Sequence, residues 1–362
     1  MYNSILTNFP RLEGETNDSP RIQRAIDATE NGILCIPAGD YDIADTLYIK
    51  NRCSLNMHPA ARLIAKAEMD FIIEYKPDKN YHALSLFNED GSVYDNLGLF
   101  IKGGDIDGNG MASCMAITNA HHFTITDTVF HNGKKYGLYV GGDRGGHIYE
   151  LICNNIYCKT TMKGLSGNIG IFSDRCDAHF TDCIIVDYTI GMQILGASNR
   201  ITRAHIWCGT VPPINTSIEE WSDIYAERKL KLADGVYGEN EQNEYNNEKP
   251  EMLIDSISFD IKGVKNILDG CYADTAEIGY LINNDTRMTN CDFFNNKLMG
   301  LKSSTAIKHI YGQLSVISCC FRGTAGDEIL YDGTGENVTW FANQVSGGER
   351  MKVPNFLIKD AN

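Results

Sequence analysis

Apolar and polar residues alternate with a period of two along Phe180–Gly209, FTDCIIVDYTIGMQILGASNRITRAHIWCG, and the pattern comes round twice. Thr181-Asp182-Cys183-Ile184-Ile185-Val186-Asp187 is answered, after Thr189–Ile194, by Thr202-Arg203-Ala204-His205-Ile206-Trp207-Cys208, 21 residues on. Each unit holds two short strand-forming segments and no helical period, which predicts a strand-only solenoid. The small residue of each unit is read at Thr128, Cys153, Cys183, Ala204, Cys271, Cys291, Cys319 and Ala342. Steps of 20 to 30 residues separate them, apart from one of 67 between Ala204 and Cys271. Insertions in the turns of stacked coils give this kind of spacing.

Two residues after the small position stand Phe130, Asn155, Ile185, Ile206, Ala273, Phe293 and Phe321, predicted to point inward. Their neighbours are then predicted to face out: Ile184 and Val186, His205 and Trp207, Tyr272 and Asp274, Asp292 and Phe294. With coils roughly 4.8 Å apart, these residues form one continuous wall.

At the amino end, Asp18-Ser19-Pro20 opens a short helix with Ile22, Ala25 and Ile26 on one face. Gly32–Tyr41 reads as a strand running into a Pro/Gly turn, and strands follow at Thr46–Ile49, Cys53–Met57 and Ala61–Ala65. A helix there would cap the open end of the stack. The passage NDSPRIQRAIDATENGILCIPAGDYDIADTLYIKNRCSLNMHPAARLIA resembles the amino-terminal cap and first coil of the pectate lyase and polygalacturonase superfamily. That resemblance implies an all-β fold, a single-stranded right-handed parallel β-helix with an N-terminal helical cap, acting on carbohydrate. The family's Gly-x-x-Asp-Asp opening is represented only by Glu15-Thr16-Asn17-Asp18. Its Asn-Thr-Asp, Asp-Asp, Gly-His-Gly and Arg-Ile-Lys motifs are absent.

The chain is expected to be one domain over 1–362. Residues 1–65 form the cap and first coil, 97–347 the coils, 210–255 a large insertion and 348–362 a tail. Residues 66–96 read as an irregular loop or lateral hairpin. Gly103–Gly110, GGDIDGNG, reads as a structural turn, since it lacks the Lys-Ser/Thr of a phosphate loop and the twelfth-position Glu of a calcium loop. The insertion leaves directly after the His205/Trp207 strand and is expected to overhang that wall or to meet a neighbouring subunit there. Trimerisation would bury an exposed aromatic wall.

A formal net charge of −15 argues against nucleic acid or an acidic membrane as partner. The opening MYNSILTNFPRLEGE is no signal peptide, and no stretch resembles a membrane span. Several of the 12 cysteines fall at the small-residue position, where cysteine acts as a small hydrophobe. A reduced, cytoplasmic protein with unpaired cysteines is therefore expected, without cofactor or structural zinc.

Asp187 and Asp274 form the candidate acid/base pair, near one strand end on coils two steps apart, roughly 9–10 Å by coil spacing. The competing reading of Asp187 is a turn residue bonding its own backbone. His205 is a catalytic candidate between them, and Trp207 and Tyr272 are substrate-binding candidates. An outward indole can stack on a sugar ring or lie beneath the insertion. A second row carries Phe172, Asp174, Gln193, Asp260 and Lys262, read either as substrate ligands or as a charge ladder between coils.

The leading expectation is a glycoside hydrolase or intramolecular glycosyl-transferring enzyme acting on an oligosaccharide or polysaccharide by carboxylate acid/base catalysis. Two alternatives stay open: a polysaccharide lyase eliminating across a uronate, and a non-catalytic glycan-binding or tailspike-like protein.

Overall fold

The computed structural model of the chain describes residues 2–30, 32–50, 53–76, 99–118, 120–141, 148–160, 167–208, 256–294, 304–323, 329–334 and 336–346. Among these, strands stack into three long parallel sheets, each taking one strand per coil. The first sheet has 12 strands, from Tyr2–Ile5 to Val338–Phe341; the second has 11, from Gly39–Ile43 to Gln344–Ser346; the third has 10, from Leu47–Ile49 to Ile329–Asp332. The chain visits the sheets in rotation, so the expected solenoid is a β-helix with one interior.

The corner between the first and second sheets explains the repeat. In successive coils Asp127, Asn155, Asp182, Arg203, Gly270, Asn290, Ser318 and Ala342 stand there with φ between 52° and 63°. Each of the first seven donates its backbone N–H to a carbonyl of the next coil, as from Asp182 to Thr202 and from Arg203 to Asp269. The ladder thus runs through the corner, and those bonds hold even Arg203 and Ser318 in a conformation that side chains disfavour.

This corner corrects the expected column at two places. Cys183, Ala204, Cys271, Cys291 and Cys319 do follow the left-handed residue, and all are buried. In the coil of Asn155, however, the residue after the corner is Ile156. Cys153 lies in the first sheet, paired with Phe180. Asn155 is the corner itself and does not point inward; the buried partner of Phe130 is Cys158. Ala342 is likewise the corner, and Asn343 takes the column, its Oδ1 accepting the Cys319 N–H at 2.8 Å. Small apolar residues occur on both sides of the corner, so cysteine identity alone does not fix the register.

The interior is apolar. Phe130, Ile185, Ile206, Ala273, Phe293 and Phe321 form one fully buried column of the second sheet. Burying one such side chain contributes about 1.5–3 kcal/mol. Every described cysteine is unpaired. A buried amide ladder closes another corner: Asn199 Oδ1 accepts the Ala178 N–H, while Asn266 Oδ1 accepts from both N–H and Nδ2 of Asn199 at 2.9 and 3.1 Å.

The helix spans Ser19–Ala28 and buries Ile22, Ala25 and Ile26, as expected. Its start differs in detail. Asn17 Oδ1 accepts the Ser19 N–H at 2.9 Å, whereas Asp18 makes no side-chain cap. The Asp18 carboxylate receives Arg11 and Arg21 and the Asp42 N–H, tying the cap to the first coil. Two further expectations need correction. Phe71–Tyr75 is a strand of the third sheet, inside the segment read as irregular. Asp105–Asp107 is a strand rather than part of one long turn. The turn before it is real: Gly103 has φ +74°, and a Cβ there would lie 2.2 Å from the Met57 carbonyl oxygen. The insertion 210–255 and the tail 348–362 lie outside the described residues.

Candidate functional site

Two outer walls carry the candidate residues. On the third sheet, strand pairing sets one outward ladder: Glu74, Ala116, Tyr139, Phe172, Gln193, Asp260, Leu281, Lys308 and Asp332. Its early coils hold an aromatic cluster. The rings of Tyr139 and Phe172 stack at 5.0 Å and 3°, with Tyr136 at 5.0 and 5.5 Å from them and Phe71 at 5.7 Å from Tyr139. All four rings are half-buried, so they keep an accessible flank. Rings stacked on one another across coils form an apolar strip, with their edges toward whatever lies over the sheet.

The same ladder then turns polar. Gln193 Nε2 donates to Asp260 Oδ2 at 2.7 Å, and Lys262 Nζ lies 3.0 Å from the same oxygen. Asp260 is only 1% exposed, and its Oδ1 has no hydrogen-bond partner. A buried carboxylate oxygen without a donor carries a desolvation cost, and such a cost persists where a site uses the group. Asp174 stands two residues beyond Phe172, 2.9 Å from Arg175 Nε. Gly141 is the backbone neighbour of Asp174 in the preceding coil; a Cβ there would come within 2.8 Å of Asp174 Oδ1 and 3.0 Å of the Tyr139 hydroxyl. The glycine leaves both polar atoms room at the end of the aromatic cluster.

On the second sheet, Ile184, His205, Tyr272 and Asp292 form one outward ladder, and Val186, Trp207, Asp274 and Phe294 the next. His205 stacks on Tyr272 at 4.7 Å and 16°, with Nε2 3.5 Å from Asp274 Oδ2. That nitrogen is buried and makes no hydrogen bond. Thr275 Oγ1 donates to Asp274 Oδ1 at 2.7 Å. Burial, then the Asp274 charge, pushes the Tyr272 phenol up to about 12. The wall therefore brings His205, Tyr272 and Asp274 together beside Trp207. Asp187 is elsewhere in register: Val186 is the residue that aligns with Trp207 and Asp274, and Asp187 follows in a left-handed turn at φ 64°.

A third cluster was not legible in the sequence. Arg62 binds Asp107 at 2.8 Å and lies 3.4 Å from Asp105, His131 Nδ1 contacts Asp105 at 2.8 Å, and Asn132 donates to Asp107 at 3.0 Å. These groups sit on neighbouring strands of the second sheet and largely satisfy one another. They tie early coils together.

No protein-family model and no curated protein sequence matches the chain. Solved structures do. Endo-xylogalacturonan hydrolase from Aspergillus tubingensis superposes with a TM-score of 0.59 at 12% identity, over 98% of this chain and 97% of that one. A tailspike protein of E. coli bacteriophage HK620, in complex with a pentasaccharide, gives 0.60 at 11% identity, over 96% of this chain and 67% of that one. PfbA, a surface adhesin of Streptococcus pneumoniae, gives 0.55 at 12%, over 95% and 90%. The chain spans 60% and 47% of the length of two further viral proteins that it matches. Such low identities speak to architecture alone. In fold, the chain is a right-handed parallel β-helix, similar in architecture to the endo-xylogalacturonan hydrolase, the HK620 tailspike and PfbA.

Proposed function

We propose that this protein is a carbohydrate-active enzyme of glycosidase type that binds an oligosaccharide along the outer face of the third sheet. The observation that carries this reading is the single ladder in which the Tyr139 and Phe172 rings lead into Gln193 and the buried Asp260. Sugar rings offer C–H faces to aromatic rings and hydroxyls to carboxylates and amides, and this face supplies both in sequence.

Asp260 and Asp174 are the proposed carboxylates of the reaction. Their coils are two steps apart and their positions two residues apart along the strand, about 12 Å between backbones. Side chains leaning together bring the carboxyl groups toward the about 6.5–9.5 Å of inverting enzymes. In that scheme the Asp260 carboxylate, held by Gln193 and Lys262, takes a proton from the attacking water, and Asp174, in its protonated form, gives a proton to the leaving oxygen. Water gives hydrolysis; a sugar hydroxyl in its place gives intramolecular glycosyl transfer.

A second reading is glycan binding without turnover. Both carboxylates are already engaged by cations, Arg175 on Asp174 and Lys262 on Asp260, which suits a recognition surface. Turnover of an oligosaccharide panel by the full chain separates the two. Under the enzymatic reading, Asp260→Asn and Asp174→Asn each lower turnover by about 10²–10⁴-fold with folding intact. Binding of the same sugars with no product favours the second reading.

A further inference from the structure

We infer that the ligand of this face is a neutral oligosaccharide rather than a polyuronate, an inference that rests on the third-sheet face being the glycan site. The argument is one of charge at named positions. A chain of uronic acids needs a cation for its carboxylates, supplied by free Arg or Lys side chains or by a bound divalent ion.

Among the described residues of this face, the cations stand beside carboxylates or over a ring. Lys76 lies 3.6 Å from Glu74 of its own strand, Arg175 lies 2.9 Å from Asp174, and Lys262 lies 3.0 Å from Asp260. Lys308 stands beside Asp332 in the register, and Lys135 sits over the Tyr136 ring at 5.0 Å. Each of the four carboxylates therefore has a cation beside it, and the four facing rings carry no charge. No group of three or more His, Cys, Asp or Glu among the described residues could hold a metal ion.

A uronate laid across Tyr139 and Phe172 toward Asp260 would bring its charge to a carboxylate 1% exposed, where the repulsion is poorly screened. To gain Lys262 it would have to displace Asp260, leaving that buried carboxylate without its cation. A neutral sugar meets neither cost. It leaves the Asp260–Lys262 pair and the Gln193 hydrogen bond in place. Elimination across a uronate, the lyase alternative, is disfavoured by the same argument.

The test is calorimetric titration of the full chain with two sets of oligosaccharides of equal length, at low and at high salt. One set is neutral, of hexoses and 6-deoxyhexoses; the other is oligogalacturonates and oligomannuronates. The expected result is binding within the neutral set, little changed by salt, and at least roughly tenfold weaker in Phe172→Ala and in Tyr139→Ala. Each variant is checked by its melting temperature, so that two independent ring deletions carry the result. Uronate binding that falls with salt and is lost in Lys262→Gln overturns the inference while leaving the glycan face in place. Failure of both sets to bind, or neutral binding untouched by both ring deletions, overturns the reading on which it rests.

Discussion

Gln193 and Asp260 are 67 residues apart in the chain, yet Nε2 of one donates to Oδ2 of the other at 2.7 Å. The parallel register makes them direct neighbours, Gln193 against Asp260, on consecutive coils of the third sheet. The strands on either side of residues 209–255 in sequence, His205–Trp207 and Ile257–Ile261, both keep the register of their sheets. A solenoid accepts such an insertion because each coil contacts only its neighbours.

Removing that amide tests how far Asp260 depends on it. Gln193→Ala takes a donor from a carboxylate that is 1% exposed. The loss is expected to cost about 1–3 kcal/mol, read from urea unfolding, since a largely buried acceptor gives up a hydrogen-bond donor. Gln193→Glu should cost more, because two carboxylates would then face one another.

The amide ladder offers a larger effect. Asn266→Ala leaves the Asn199 N–H and Nδ2 without their acceptor and frees the carbonyls of Gly196 and Gly263. A loss of about 3 kcal/mol or more is expected. In a cycle with Asn199→Ala the two losses should fall short of additive, because each breaks bonds they share.

Acid stability should depend on Asp18. Burial opposes its charge, but the hydrogen bonds from Arg11 and the Asp42 N–H, with Arg21 nearby, hold the carboxyl below its ordinary range. A group lowered in the folded state adds stability above its unfolded pKa of about 3.9, and that stability is lost as pH falls through the folded value. Asp18→Asn should therefore lower the melting temperature at neutral pH and flatten its decline below about pH 4.

Glycine at 103 is required on two counts. Its φ is +74°, and a Cβ would meet the Met57 carbonyl oxygen at 2.2 Å. Gly103→Ala should destabilise by about 1–3 kcal/mol in chemical denaturation, and Gly14→Ala, with φ +88° but open space around it, by less.

Thiol labelling checks the interior. Burial pushes the Cys183 thiol up to about 12, and Cys53 likewise. Cys35, Cys176 and Cys320 are half-buried. Brief alkylation of the native protein, mapped by mass spectrometry, should modify these three and spare the buried nine.

The stack, its period and the inward column from Ile185 to Phe321 could be read from the sequence because alternation and a small residue recur at short steps there. Cys153 and Ala342 misled because the true marker is the left-handed corner, a conformation that Arg203 and Ser318 adopt without any compositional sign. The aromatic cluster was harder to see. Phe71, Tyr136, Tyr139 and Phe172 come from coils joined by turns of unequal length, so only pairing shows that their rings meet. The Arg62, Asp105, Asp107 and His131 knot was hidden by a glycine-rich run whose middle is a strand. On the second wall, the proximity of His205 to Asp274 follows from the expected register, while the one-residue offset of Asp187 depends on where that strand turns.

The central claim is that sugar lies on the third sheet, and a crystal structure of the full chain soaked with a bound oligosaccharide tests it most directly. The account expects sugar density along the strip formed by Tyr136, Tyr139 and Phe172, reaching Gln193 and Lys262 beside Asp260. Density on the opposite wall, against His205, Trp207, Tyr272 and Asp274, would contradict it.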